Sequence, residues 1–203
     1  MTNFSIVLIA ALTAWLGRAP EQARINDVEA VAPLFLEYGQ RGAIVSPQAD
    51  PFILASVAFY ESRIRPGVRD GDCRRVGGMG LRTRCDSVGL MQISTGAPQW
   101  MFYLGEEWQG LTVAKLRTPR TSVRAAYSIL SHHHQKCGSS VAIALDAYGS
   151  GRCPKYAIPS WRGIRRCALA AAMAARAGYP FKCGHEGKKT LKVTARVVEA
   201  LSR

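Results

Sequence analysis

The sequence predicts a mainly α-helical domain. Apolar residues recur at three- and four-residue spacing in several separate stretches, and no strong strand run stands out. Residues suited to helix ends punctuate those stretches: Asp50-Pro51 and Thr121-Ser122 as starts, Gly39, Gly138 and Gly178 as stops. A chain of 203 residues, 48% hydrophobic and 20% charged, is large enough and ordinary enough to bury one real core. A small β element is left open within the polar stretch 67–87.

The first element is the apolar run "FSIVLIAALTAWLG", Phe4 to Gly17. It is shorter than the about 20 residues that span a bilayer. Its length suits the hydrophobic part of an export signal, but no Lys or Arg precedes it and no A-x-A site follows. Export signal, weak membrane anchor (and so a membrane contact) and core helix all stay open, and residues 1–20 are set apart from a domain over 21–203. The second element is an amphipathic helix carrying Val28, Val31, Leu34 and Phe35, with Gly39 as its stop. The third is "PFILASVAFYESRIRP", with Asp50 as N-cap and Pro51 in the first turn. Pro66 predicts an end near Arg65. Ile53, Val57, Tyr60 and Ile64 form its apolar stripe, and Glu61 borders that stripe near the helix end. There the helix dipole and apolar neighbours both raise the cost of ionising the acid.

Residues 67–87, "GVRDGDCRRVGGMGLRTRCDS", read as a long basic loop, and "VGLMQIS" follows. Then come "TSVRAAYSILSHHHQKCG", a helix capped by Thr121 or Ser122, "SSVAIALDAYGSGRCP", a helix ending in a glycine turn, and "PSWRGIRRCALAAAMAARAG", an alanine-rich helix closed by Gly178. "KTLKVTARVVEALSR" predicts a last amphipathic helix. Six cysteines, none in a C-x-x-C pair, fit disulfides formed in an oxidising compartment and allow 15 pairings. Cys73 with Cys85 is the favoured single pair because both lie in one polar loop.

The net charge of +13 calls for an acidic partner: nucleic acid, anionic lipid or bacterial wall. Nucleic acid is not expected, because no DNA-reading motif or interleaved aromatics accompany the basic runs "CRRVGG", "WRGIRRC" and "EGKKTLK". Those runs read as solvated faces. His132, His133 and His134 are adjacent and do not share a helix face, so no metal and no cofactor is expected.

Three short motifs occur in order: "ES" at a helix end (Glu61, Ser62), "GLMQI" in a turn (Gly89 to Ile93) and "AYGSG" at a later helix end (Ala147 to Gly151). Together, over residues 50–155, they resemble the soluble-type lytic transglycosylases and, more broadly, the goose-type lysozyme-like enzymes. The resemblance implies a lysozyme-like helical domain with a long disulfide-clipped loop, acting on peptidoglycan glycan strands at the β-1,4 bond from N-acetylmuramic acid to N-acetylglucosamine. It implies Glu61 as catalytic acid/base, Ser62 as the small polar residue after it, Met91 and Gln92 lining the sugar cleft, and Tyr148 facing the centre. The last motif departs from the usual Ala-Tyr-Asn, with Gly149 in place of the asparagine, and the gap from "ES" to "GLMQ" is longer than usual.

Most glycosidases use two carboxylates. Asp86 is the nearest candidate for the second, with Asp70 and Asp72 in the loop, and all three sit among arginines. A single acid favours a route assisted by the substrate's own N-acetyl group, closing a 1,6-anhydro ring. Hydrolysis, as in a lysozyme or phage endolysin, is the alternative product. A non-catalytic wall-binding part of a phage or secretion apparatus is the alternative class. Either way the chain is expected to act outside the cytosol, in the envelope or medium, or as a virion or lysis protein.

Overall fold

The computed structural model describes residues 2–65, 87–94, 111–184 and 199. Helix α1 (Asn3–Leu16) starts at Thr2, whose Oγ1 accepts from the Ser5 N–H at 3.2 Å, and stops at left-handed Gly17. It buries Phe4, Val7, Leu8, Ala11 and Leu12. The Phe4 ring packs 4.9 Å from Phe52 and 6.5 Å from Phe35, so α1 is a packed element of the core. No helix among the described residues is long and apolar enough to cross a membrane. Helix α2 (Gln22–Gly39) buries Val28, Val31, Ala32, Phe35 and Tyr38, so most of its sequence-predicted stripe faces inward.

Helix α3 (Asp50–Ser62) is the centre of the fold. Every residue from Asp50 to Phe59 is buried, so it presents no single stripe; it is enclosed by α2 on one side and by the later helix Trp161–Arg176 on another. Its ends differ from the expected ones. Ala49 holds the N-cap position. The Asp50 carboxylate instead accepts the N–H groups of Ile44 (3.0 Å), Val45 (2.8 Å) and Ser46 (3.2 Å), and the Tyr127 hydroxyl at 3.2 Å. The acid therefore organises the loop before the helix, which satisfies its buried charge better than one cap bond would. At the other end the helix stops at Ser62 because Arg63 (φ 59°) and Ile64 (φ 55°) turn left-handed. The Arg63 and Ile64 N–H groups bond back to Phe59 and Ala58 carbonyls, and Ile64 returns to the core. Arg24 of α2 donates to the Arg63 carbonyl.

Strands β1 (Ser87–Val88) and β2 (Ile93–Ser94) pair antiparallel, Ser87 opposite Ser94 and Val88 opposite Ile93. A β element thus lies at 87–94, with "GLMQ" as its turn; residues 67–86, where the sequence left one open, lie outside the described residues. Cys73, Cys85, Asp86, Asp70 and Asp72 lie outside the described residues, as does the expected last helix apart from the helical Glu199.

A short helix α4 (Val113–Leu116) leads into α5 (Pro119–Lys136). Helix α5 begins earlier than expected, at Thr118-Pro119, because Ser122 is fully buried and bonds elsewhere. Helix α6 (Val141–Ser150) ends at left-handed Gly151. Helix α7 (Trp161–Arg176) starts at Ser160, whose Oγ accepts from the Arg162 N–H. Ser160 in turn donates through its N–H (2.9 Å) and its hydroxyl to the Asp146 carboxylate of α6. The two helices meet at Gly163, where a Cβ would stand 2.3 Å from the Ala142 carbonyl oxygen. Disulfides join Cys137 to Cys153 and Cys167 to Cys183, each across 16 residues. A ring of that size stabilises by about 3 kcal/mol in the chain-entropy account. Such bonds fit an oxidising, exported setting.

Candidate active site

The three sequence motifs, 27 and 54 residues apart in the chain, converge on one spot: the Tyr148 hydroxyl meets the Met91 carbonyl, and Tyr148 feels the Glu61 charge. Glu61 comes from the last turn of α3, because the left-handed turn at Arg63 ends the helix just beyond it. The "GLMQ" turn is held in place from outside. Gly89 has φ 75°, and a Cβ there would lie 2.3 Å from the Leu116 carbonyl oxygen, so only glycine fits. The Met91 N–H donates to Ser122 Oγ at 3.0 Å. The Met91 carbonyl accepts the Tyr148 hydroxyl at 2.7 Å, which ties the turn to the end of α6.

Glu61 is half-buried, with about a fifth of its side chain exposed. Burial pushes its carboxyl above the ordinary glutamate range, while Arg166 first and Arg162 second draw it back down. Arg166 is the direct partner: its Nη2 donates to Glu61 Oε1, and its Nη1 donates to the Leu145 carbonyl of α6 at 3.1 Å. The Tyr148 phenol is pushed well above its usual value by burial and then by the Glu61 charge, so it acts as a neutral donor. Among the described residues the site therefore brings together the Glu61 carboxyl, a neutral phenol beside it and two guanidiniums in its field.

The other expected residues sit in supporting places. Ser62 is buried, and its hydroxyl donates to the Ala58 carbonyl at 3.0 Å, so in this arrangement it serves the helix end. The Met91 side chain is fully buried in the core, and only its backbone reaches the site. Gln92 is half-buried at φ 50°, with its amide donating to the Gly89 carbonyl at 2.8 Å.

Next to this cluster lies a cavity of about 700 Å³. Asp146 and Gly149 of α6, Arg152 and Lys155 of the linking segment, and Trp161 and Arg162 of α7 contribute to its walls. Trp161 is largely exposed, with the guanidiniums of Arg162 and Arg165 over its ring at 5.6 and 5.3 Å. Arg165 also stands over Tyr60, the neighbour of Glu61. An aromatic face bordered by cations suits a sugar carrying anionic groups.

Sequence reasoning missed Arg166 and Trp161. The run "WRGIRRC" reads as a solvated basic face, yet Arg166 is buried, because α7 turns that position inward one turn after the close approach at Gly163. The available signal was Gly149, the departure from Ala-Tyr-Asn: a missing side chain opposite the acid leaves room that another residue fills. Among the described residues no group of His, Cys, Asp or Glu is placed to hold a metal ion.

No curated protein and no solved structure matches the chain. A family model described as the transglycosylase SLT domain matches residues 41–157, more than half of the chain, and takes in Glu61, the "GLMQ" turn and Tyr148. The chain therefore belongs to the transglycosylase SLT-domain family, a lysozyme-like group of peptidoglycan transglycosylases.

Proposed function

We propose that this protein cuts peptidoglycan glycan strands between N-acetylmuramic acid and N-acetylglucosamine, leaving 1,6-anhydromuramic ends, and that it works on the wall outside the cytosol. The observation that carries this reading is Glu61: a carboxyl raised by burial, standing where three separate segments converge. A protonated Glu61 gives its proton to the glycosidic oxygen as the bond from muramic C1 breaks and the glucosamine 4-hydroxyl leaves. The N-acetyl oxygen of the same muramic residue covers C1. The Glu61 carboxylate then takes the proton of the muramic C6 hydroxyl, whose oxygen closes on C1 and releases the N-acetyl group. One carboxyl serves as acid and then base, and no water enters.

The charges acting on Glu61 among the described residues are those of Arg166 and Arg162; the one-carboxylate route is the proposal, and the product analysis below decides it against a two-carboxylate hydrolysis. In this reading Tyr148 positions the centre, while Ser62, Met91 and Gln92 shape it from behind. The cavity beside Trp161 receives the strand, and its cations meet the lactyl and peptide carboxylates.

Glu61→Gln keeps the shape but cannot cycle a proton. The expected outcome is loss of wall-clearing activity by at least about a hundredfold, the usual scale of general acid–base catalysis. Mass spectrometry of wild-type products from purified wall is expected to give anhydro ends. Reducing ends would assign hydrolysis instead, and an active Glu61→Gln would remove the site.

A further inference from the structure

We infer that Arg166 is a positioning residue for Glu61, and that the glycine at 149 is what admits its guanidinium to the site. A Cβ built at Gly149 would stand 2.7 Å from Arg166 Nη1 and 3.4 Å from both Cζ and Nη2. Any side chain there collides with the group that touches the acid. Arg166 is otherwise fixed. Its Nη1 donates to the Leu145 carbonyl at 3.1 Å, and the next residue, Cys167, is bonded to Cys183. Only about a tenth of its side chain is exposed. The guanidinium therefore bridges the backbone of α6 and the carboxylate of α3 and holds Glu61 in one rotamer; it lies against Gly149, which helps to line the neighbouring cavity.

This assignment rests on the reading of Glu61 as the acid, and it specifies how that acid is set. An arginine in direct contact stabilises the carboxylate form. Burial opposes it. The balance leaves Glu61 able to exist in both states. Among the described residues, the other charged or titratable groups around it include Arg162 of α7, Tyr148 of α6, Tyr60 of its own helix with Arg165 above it, and Arg24 of α2 at the Arg63 carbonyl. The hairpin brings none, since residues 87–94 contain no ionisable side chain. Arg166 is the one that donates directly to the carboxylate, through Nη2 to Oε1.

Gly149 gives a clean test. Its φ is not in the left-handed region and it lies in the last turn of α6, so alanine fits the backbone and favours the helix. Gly149→Ala should leave the chain folded while displacing Arg166, the helix-propensity gain offsetting part of what the lost Leu145 and Glu61 contacts cost. The carboxyl of Glu61 is followed by carbon-13 NMR over a pH series, with its signal assigned by loss in Glu61→Gln. No substrate is required, so the measurement is independent of what the protein cuts; wall clearing by the wild type reports separately on that question.

Arg166→Met should raise the Glu61 midpoint by at least about one pH unit, the usual reach of a contacting arginine. Gly149→Ala should raise it in the same direction by less. The double variant should match Arg166→Met alone, because the two changes act on one contact. Arg166→Lys should fall between wild type and Arg166→Met, since an ammonium keeps the charge but cannot span Leu145 and Glu61 together. In wall clearing, the alkaline limb of kcat/KM should move up with the NMR midpoint. If Gly149→Ala is well folded and leaves the midpoint where it was, or if the effects of the two substitutions add, the assignment is wrong.

Discussion

At the scale of single residues, two glycines carry much of the site. Gly89 and Gly149 each stand where a side chain would hit something functional: the Leu116 carbonyl for one, the Arg166 guanidinium for the other. The obstacles differ in kind. A guanidinium is the far end of a flexible chain and can swing away. A carbonyl in a packed turn cannot, and at Gly89 the backbone is also left-handed. Gly89→Ala should therefore destabilise the fold by at least about 2 kcal/mol, from the left-handed penalty plus displaced packing. For a chain of this size that lowers Tm by roughly 4–8 °C, measured by thermal denaturation. Activity should fall with it, because the same turn presents the Met91 carbonyl to Tyr148. A normal Tm would mean that the turn tolerates the substitution by rearranging.

At the scale of elements, α5 carries a buried histidine whose titration is visible in stability. His133 is only 2% exposed. Its pKa is lowered to about 4, first by burial and then by the charges of His132 and Lys136. The folded state thus binds that proton more weakly than the unfolded chain does. The stability His133 contributes as a neutral ring is complete above pH 6.5 and is lost as pH falls toward about 4. The gap corresponds to roughly 3 kcal/mol at about 1.4 kcal/mol per pH unit. Urea denaturation at pH 7 and pH 4.5 should show a loss in the wild type, and His133→Asn should show a clearly smaller one. An equal loss in both would place the acid sensitivity elsewhere. The three-histidine run illustrates what sequence can yield: adjacent positions exclude a shared metal face, but burial of one member depends on how the helices packed against α5, α2 and α6 among them, close over it. The same holds for α3. Its period and its approximate end were legible, and so was the acid at that end. Its burial on all sides was not, because enclosure is a property of the partners rather than of the helix. Asp50 was legible as a residue that binds backbone N–H groups, but those groups belong to the preceding loop. The position of Arg166 was illegible for a related reason: it depends on how closely α6 and α7 approach, which two glycines on different helices set together.

At the scale of the whole molecule, a surplus of 13 positive charges is a stability cost that calls for a return elsewhere. The site accounts for part of it, since Arg152, Lys155 and Arg162 line the cavity beside Glu61. If the rest serves attraction to a wall bearing carboxylates, capture and cutting should respond differently to salt. Exposed charges more than about 10 Å apart are largely screened at 0.1 M salt, whereas buried pairs are screened far less. Retention of the protein on insoluble wall should weaken by at least about tenfold between roughly 0.02 and 0.5 M salt, the lower end of what electrostatic steering supplies. The Glu61–Arg166 contact, half-buried and direct, should persist, so kcat at saturating wall should change little. Wall whose peptide carboxylates have been converted to amides separates this from a general salt effect. Retention on it should be weak at all salt concentrations and nearly flat. If native wall holds the protein equally at low and high salt, long-range charge does not drive capture, and the aromatic face at Trp161 becomes the principal contact.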